Sequence, residues 1–172
     1  MTSIAEPRVA LARARHAETL HAGTTAIRLL LDSSDTGGAI SAHRAVLGHG
    51  AAGASPHRHT GSSELFYILD GSADVLAGDE LITAEQGDLV VVPPGFAHAF
   101  RPTIGCTAEM LIIITPGIER FDFFRALTAV ANGEADYKSL LADQSRYDTY
   151  PESSAIWEVP TTAHPKVNAP RS

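Results

Sequence analysis

Cysteine is almost absent. Cys106 is the single one in 172 residues, so no disulfide can close within the chain. A lone thiol fits a reducing compartment, and a cytoplasmic location is expected. Basic charge is scarce: 13 Lys and Arg face 20 Asp and Glu, the net charge is −7, and no basic stripe forms. An acidic chain repels phosphate backbones, so nucleic acid is not an expected partner. Long hydrophobic runs are missing too. None approaches the ~18 residues that suggest a membrane span, so no membrane partner is expected. The opening "MTSIAEPRVALARARHAETL" has arginines without the continuous apolar stretch of a secretory signal. Aromatics make up only 6% of the residues, which leaves no obvious platform for stacking a sugar. Internal repeats and low-complexity tracts are also lacking.

What is present is a hydrophobic fraction of 44%, enough for one domain with a real core. Residues 1–22 are rich in Ala and Arg and read as an N-terminal arm, either a frayed helix or an extended strand. From Thr24 the text turns to short apolar runs broken by Gly, Pro and Asp. "TTAIRLLL" and "AISAHRAVL" read as strands, and "GHGAAGASP" reads as a long turn. "ELFYILDG" is a strand ending at a glycine turn. "SADVLA" and "ELITAE" flank Gly78-Asp79 as a hairpin. "LVVV" stops at Pro93-Pro94-Gly95, and "HAF" and "TAEMLIII" follow as strands. Such spacing predicts an all-β sandwich or barrel over residues 23–116. No helical stretch separates the strands, which argues against a parallel α/β sheet. Residues 117–172 change character. Phe121, Phe124, Leu127 and Ala131 fall on one helical face, Asn132-Gly133 is a good stop, and a second short helix is expected over Ala135–Ala142. This C-terminal extension is expected to pack on the barrel, with the polar tail from Asp143 lying over the surface.

The stretch "SPHRHTGSSELFYILDG" carries the chemistry. His57 and His59 are two apart and share a face in an extended chain. Glu64 lies across the "TGSS" bend. Within its own strand it shares a face with Phe66 and Ile68, while Leu65, Tyr67 and Leu69 share the other. With both faces apolar, this strand is expected to be buried on both sides, and a carboxylate there needs a partner. His98, after the Pro93-Pro94-Gly95 turn, is a fourth candidate. Three imidazole nitrogens and one carboxylate oxygen suit a divalent transition metal, among Fe, Ni, Mn, Co, Cu and Zn. The plain alternative for the four is surface histidines in loops. With a divalent ion, three neutral imidazoles and one carboxylate, the site carries a charge of about +1, which attracts an anionic oxygen.

These residues resemble the two motifs of the cupin superfamily. The first reads His57-x-His59-x4-Glu64-x6-Gly71 and the second Gly87-x5-Pro93-x-Gly95-x2-His98. The likeness covers roughly residues 40–115. It departs from the family pattern at Ala51, where a glycine is usual, and at Pro102, where an asparagine is usual. Neither position is a ligand. Beyond the motifs the chain resembles single-domain actinobacterial cupins likened to quercetin 2,3-dioxygenases. The resemblance implies a double-stranded β-helix, or jelly roll, holding one metal per chain on His57, His59, Glu64 and His98.

It also implies an activity. A dioxygenase would act on a small, oxygen-rich, metal-chelating substrate such as a flavonol or an enediol, with Glu64 doubling as general base. A non-redox lyase, isomerase or cyclase would use the same site without oxygen, and a cupin that only binds a small ligand is a third reading. Phe66, Ile68, Phe100, Met110 and Ile112 are candidate pocket residues or, equally, barrel core. Phe121, Phe123 and Phe124 are candidates for a lid or for plain helix docking. One of His43 and Arg44 must face the barrel interior. Arg44 is a candidate partner for a substrate anion, with an ordinary exposed arginine as the plainer reading. Cys106 reads as an inert thiol, and His16, His21, His49 and His164 are assigned no role. Small cupins commonly pair, and "TTAIRLLL" is apolar enough to need a cover, so a homodimer is expected.

Overall fold

The computed structural model describes residues 9–158; Met1–Arg8 and the tail from residue 159, with His164, lie outside the described residues. Ten antiparallel strands form one sheet that curls on itself. In chain order they are β1 (Thr19–Ala22), β2 (Thr25–Leu31), β3 (Ser41–Leu47), β4 (Ala54–Arg58), β5 (Ser63–Ala77), β6 (Glu80–Glu85), β7 (Leu89–Val92), β8 (His98–Pro102), β9 (Ala108–Thr115) and β10 (Tyr150–Pro151). Three helices follow the barrel or cap it: α1 (Phe121–Ala131), α2 (Tyr137–Ala142) and α3 (Ala155–Glu158). The fold is the expected cupin jelly roll with a C-terminal helical extension. Among the described residues no helix is long and apolar enough to cross a membrane.

Strand β5 joins the two layers. Its first half pairs with β7 and β9, and its second half pairs with β6 and β8. The sequence reading ended a strand at Gly71, but the chain continues through it and bends. Gly71 has φ 74°, and a Cβ there would sit 2.0 Å from the Thr107 carbonyl oxygen. Only glycine fits, so the residue that reads as a turn is the hinge of one long strand.

The core lies between the layers, where Phe66, Ile68, Val75, Met110 and Ile112 are fully buried. Burial in β9 alternates residue by residue, as a half-buried strand requires. In β5, by contrast, the expectation of burial on both faces fails. Glu64, Phe66 and Ile68 point inward, but Tyr67 is 41% exposed, because nothing among the described residues covers the outer face of β5 and β7. "TTAIRLLL" does find its cover internally. β1 pairs along β2, and Leu29 packs against Phe124 and Tyr147 in a second cluster formed with the helices.

The turn read in "GHGAAGASP" is shorter than expected, since β4 begins at Ala54. Gly50 and Gly53 take the left-handed conformations in this turn, and Ala51, the departure from the family pattern, is buried in the core. The tail from Asp143 does more than lie over the surface. Its residues 150 and 151 add β10 to the edge of β4, opposite Arg58 and His57. Trp157 meets the Arg101 guanidinium at 4.1 Å.

Candidate metal centre and cavity

Three strands bring the four candidate ligands together. His57 sits on β4, directly opposite His98 at the start of β8. His59 follows β4 immediately, and Glu64 is the second residue of β5. The turn at Pro93-Pro94-Gly95 fixes the loop between them, since the Gly95 N–H donates to the His59 carbonyl at 2.7 Å. One donor atom from each of the four residues lies within 4.8 Å of the others.

The imidazoles are oriented by what their other nitrogens do. Nδ1 of His57 bonds the Ser55 carbonyl (2.8 Å), Nδ1 of His59 the Asp148 carbonyl (2.5 Å), and Nδ1 of His98 the Phe96 carbonyl (3.0 Å). A carbonyl only accepts, so each Nδ1 carries the proton. In the neutral ring each Nε2 then presents a lone pair, and all three Nε2 atoms face Glu64 Oε2, at 3.9, 3.3 and 2.6 Å. His98 Nε2 is fully buried and, despite this proximity, lacks hydrogen-bond geometry to any partner. Backbone-locked tautomers with converging lone pairs fit a metal ion with imidazole and carboxylate ligands.

The electrostatics agree. Burial pushes His57 down to about 3, with the neighbouring His98 acting in the same sense, so its ring is neutral at physiological pH. Burial alone would raise Glu64, but contacts from His59 and His98 outweigh it and hold the carboxyl well below its ordinary range. Burial pulls His98 down, and the Glu64 carboxylate overrides it and raises the imidazole. Glu64 is therefore anionic in a site where it is 2% exposed, which calls for a cation.

The cluster opens on a cavity of about 330 Å³, with His57 and Glu64 in its wall. Of the five candidate pocket residues, Phe100 lines this cavity, whereas Phe66, Ile68, Met110 and Ile112 lie in the barrel core. Phe123 and Phe124 of α1 also line the cavity, and Phe121 packs against them in the helix cluster. Of the β3 pair, His43 is the residue that faces inward. Arg44 points out and pairs with Glu109 on β9. Cys106 sits in the loop before β9, away from the cluster.

Sequence reasoning left His43 undecided against Arg44 and missed Arg120 and Asp148. His43 is buried in the cavity wall, its ring 4.3 Å from that of Phe124, and burial pushes it down to about 3. Arg120, just before α1, also lines the cavity and is 3% exposed. Its one sequence signal is Phe123 and Phe124 at i+3 and i+4, the two rings its guanidinium meets at 4.3 and 5.1 Å. Asp148 has φ 44°, a conformation that Asp tolerates better than most residues. Its carboxylate accepts from the N–H groups of Thr60 and Gly61, while its carbonyl orients His59. Nothing in "RYDTYP" announces that role.

Residues 43–114 match the cupin domain (Cupin_2). None of the curated proteins matches the chain. Solved structures of similar fold include KdgF from a Halomonas species, 15% identical, with a TM-score of 0.56 over 67% of this chain and 99% of that one. The polyketide cyclase RemF from Streptomyces resistomycificus is 15% identical, with a TM-score of 0.52 over 72% and 98% of the two chains. Pac13, a nucleoside dehydratase, is 16% identical, with a TM-score of 0.52 over 67% and 88%. The domain match over residues 43–114 and these similar structures agree on the cupin fold for this barrel.

Proposed function

We propose that this protein is a metal-dependent dioxygenase acting on a small, oxygen-rich organic molecule, held in the cavity beside His57, His59, Glu64 and His98. The supporting observation is the convergence of three backbone-locked imidazoles and one carboxylate within 4.8 Å, at the wall of a cavity. A divalent transition metal bound there supplies a Lewis acid that makes a substrate hydroxyl easier to ionise. Glu64, anionic and at the cavity wall, takes the hydroxyl proton as general base. Phe100, Phe123, Phe124 and Leu127 form an apolar wall that keeps water from the ionised substrate. The reaction adds both atoms of dioxygen to the substrate, and no external reductant is needed. The cytoplasm, with its reduced thiols, remains the proposed location.

A second reading is proton transfer without oxygen, as in a lyase, isomerase or cyclase. Neutral His43 beside Glu64 favours it, since together they offer two proton-transfer groups in one cavity. So does the company of a dehydratase and a cyclase among the similar folds.

Oxygen uptake with flavonols and enediols separates the two readings. The dioxygenase predicts metal-dependent uptake matched to substrate loss, and turnover of any such compound under strict anaerobiosis supports the second. Glu64→Gln tests the base. The amide oxygen can still coordinate but cannot take a proton near neutrality. The variant should keep its metal and lose about 10²- to 10⁴-fold in rate. Full metal with undiminished turnover would show that Glu64 is a ligand only.

We also propose a homodimer built on the outer face of β5 and β7. Tyr67, Leu89 and Val91 stand exposed there, side by side in register.

A further inference from the structure

Arg120 is a buried cation without a carboxylate partner. Among the described residues, no Asp or Glu oxygen comes within ion-pair distance of its guanidinium. One terminal nitrogen donates to the Tyr147 carbonyl at 3.2 Å and to the Thr149 hydroxyl. Its Nε is buried and has no hydrogen-bond partner among the described residues. Burying an unpaired charge costs several kcal/mol, so its retention in a cavity wall needs a reason.

Each acid that faces Arg120 is engaged elsewhere. Glu64 is held by the histidine cluster. The two oxygens of Asp32 accept the backbone N–H groups of Arg120 and Phe121 (2.6 and 3.1 Å), which caps α1. Asp148 is taken by Thr60 and Gly61. Burial accordingly dominates and lowers Arg120 to about 10, which still leaves it charged at neutral pH. The Phe123 and Phe124 rings lie 4.3 and 5.1 Å from the guanidinium and pack it against α1. His43, in the same wall, has no hydrogen-bond partner among the described residues and is free to bond a ligand.

We infer that the cavity takes an organic acid, and that Arg120 binds its carboxylate while its oxygenated end meets the ligand cluster. A guanidinium matches a carboxylate with two parallel hydrogen bonds, and a rigidly held one discriminates acid from amide. The apolar remainder of the wall suits a ring or short alkyl body. A volume of about 330 Å³ lies at the small end for ligand sites, so a one-ring acid fits this class better than a three-ring flavonol. The inference rests on the proposed function for the placing of the substrate's reactive end, but the anion contact stands on Arg120 alone.

The test is calorimetric binding of benzoate, 2-hydroxybenzoate and phenylglyoxylate, each compared with its own primary amide. Full-length wild type, Arg120→Gln and Arg120→Lys are used, with metal content measured and matched. Any pull of a bound metal on the carboxylate is common to all three proteins and cancels in the comparison. At least one acid should bind wild type about tenfold or more tightly than its amide. That preference should vanish in Arg120→Gln and return in part in Arg120→Lys. A merely structural Arg120 would weaken acid and amide together. The inference is overturned if no acid outbinds its amide in wild type, or if Arg120→Gln keeps the preference. If a variant fails to fold, the wild-type comparison is made on chelator-stripped protein, where no metal can supply the preference. Absence of metal in wild type would sink the proposed function and leave this contact intact, whereas equal binding of acid and amide with metal present would do the reverse.

Discussion

His43 shows most simply how a single side chain is set by its surroundings. Burial, with Arg120 nearby, pushes its imidazole down to about 3, although the Glu64 charge works the other way. In the unfolded chain the same group titrates near its ordinary value of 6.5. The unfolded state therefore binds the extra proton first as pH falls. Above about 6.5 both states hold a neutral ring and His43 adds no pH dependence; between there and about 3, stability is lost as pH falls, by up to ~1.4 kcal/mol per pH unit. His43→Gln removes this contribution. In urea titrations with chelator present, the stability gap between wild type and variant should move in the variant's favour from pH 7 to pH 4. Parallel curves across that range would mean that His43 is not held neutral by burial. The four candidate ligands are common to both proteins, so their own titration drops out of the difference.

At the scale of the elements, the segment between α2 and α3 secures the ligand loop. β10 runs beside His57, Glu152 pairs with Arg58 at 2.5 Å, and Asp148 holds both the Thr60–Gly61 backbone and the His59 ring. Asp148→Ala should lower metal affinity by about 10- to 100-fold, the usual effect of losing a group that orients a ligand. Asp148→Asn should do much less, because its amide oxygen still accepts from the two N–H groups and Asn tolerates the left-handed backbone. Chelator competition measures both; wild-type affinity in Asp148→Ala would detach the strap from the site.

This segment also marks where sequence reasoning stops. His57, His59, Glu64 and His98 were legible because their spacing is local to short strands and turns, and the barrel was legible from its Gly- and Pro-punctuated apolar runs. β10 was not, because Tyr150-Pro151 is a strand only by pairing with β4. β1 was hidden for a related reason, since "TLHA" is only four residues long, too short a pattern to stand out beside the Ala- and Arg-rich segment, and is held by β2. Arg120 and Asp148 act across 56 or more positions of sequence from Glu64 and His59, through contacts that only the assembled fold creates. Gly71 misled in the opposite way: a left-handed glycine serves a bend within a strand as well as a turn between two.

For the whole molecule, the exposed apolar face of β5 and β7 bears on association. A second copy would cover Tyr67, Leu89 and Val91, and an uncovered sheet face of this kind invites pairing. Light scattering at micromolar concentration should give twice the 18.2 kDa of one chain. Val91→Lys should shift the mass toward one chain, with metal content unchanged. A wild-type mass of one chain contradicts the dimer, and a dimeric Val91→Lys protein with unchanged affinity moves the interface elsewhere.

The central claim is that His57, His59, Glu64 and His98 together hold one metal ion, and metal stoichiometry tests it most directly. Plasma mass spectrometry on the purified protein should find close to one transition-metal ion per wild-type chain. His57→Ala and His98→Ala should each lose most of it while the circular dichroism of the barrel persists, because the core between the sheets does not depend on the ligands. Equal metal in wild type and both variants, or none in the wild type after growth with added Fe, Mn, Ni, Co, Cu and Zn, would contradict the account.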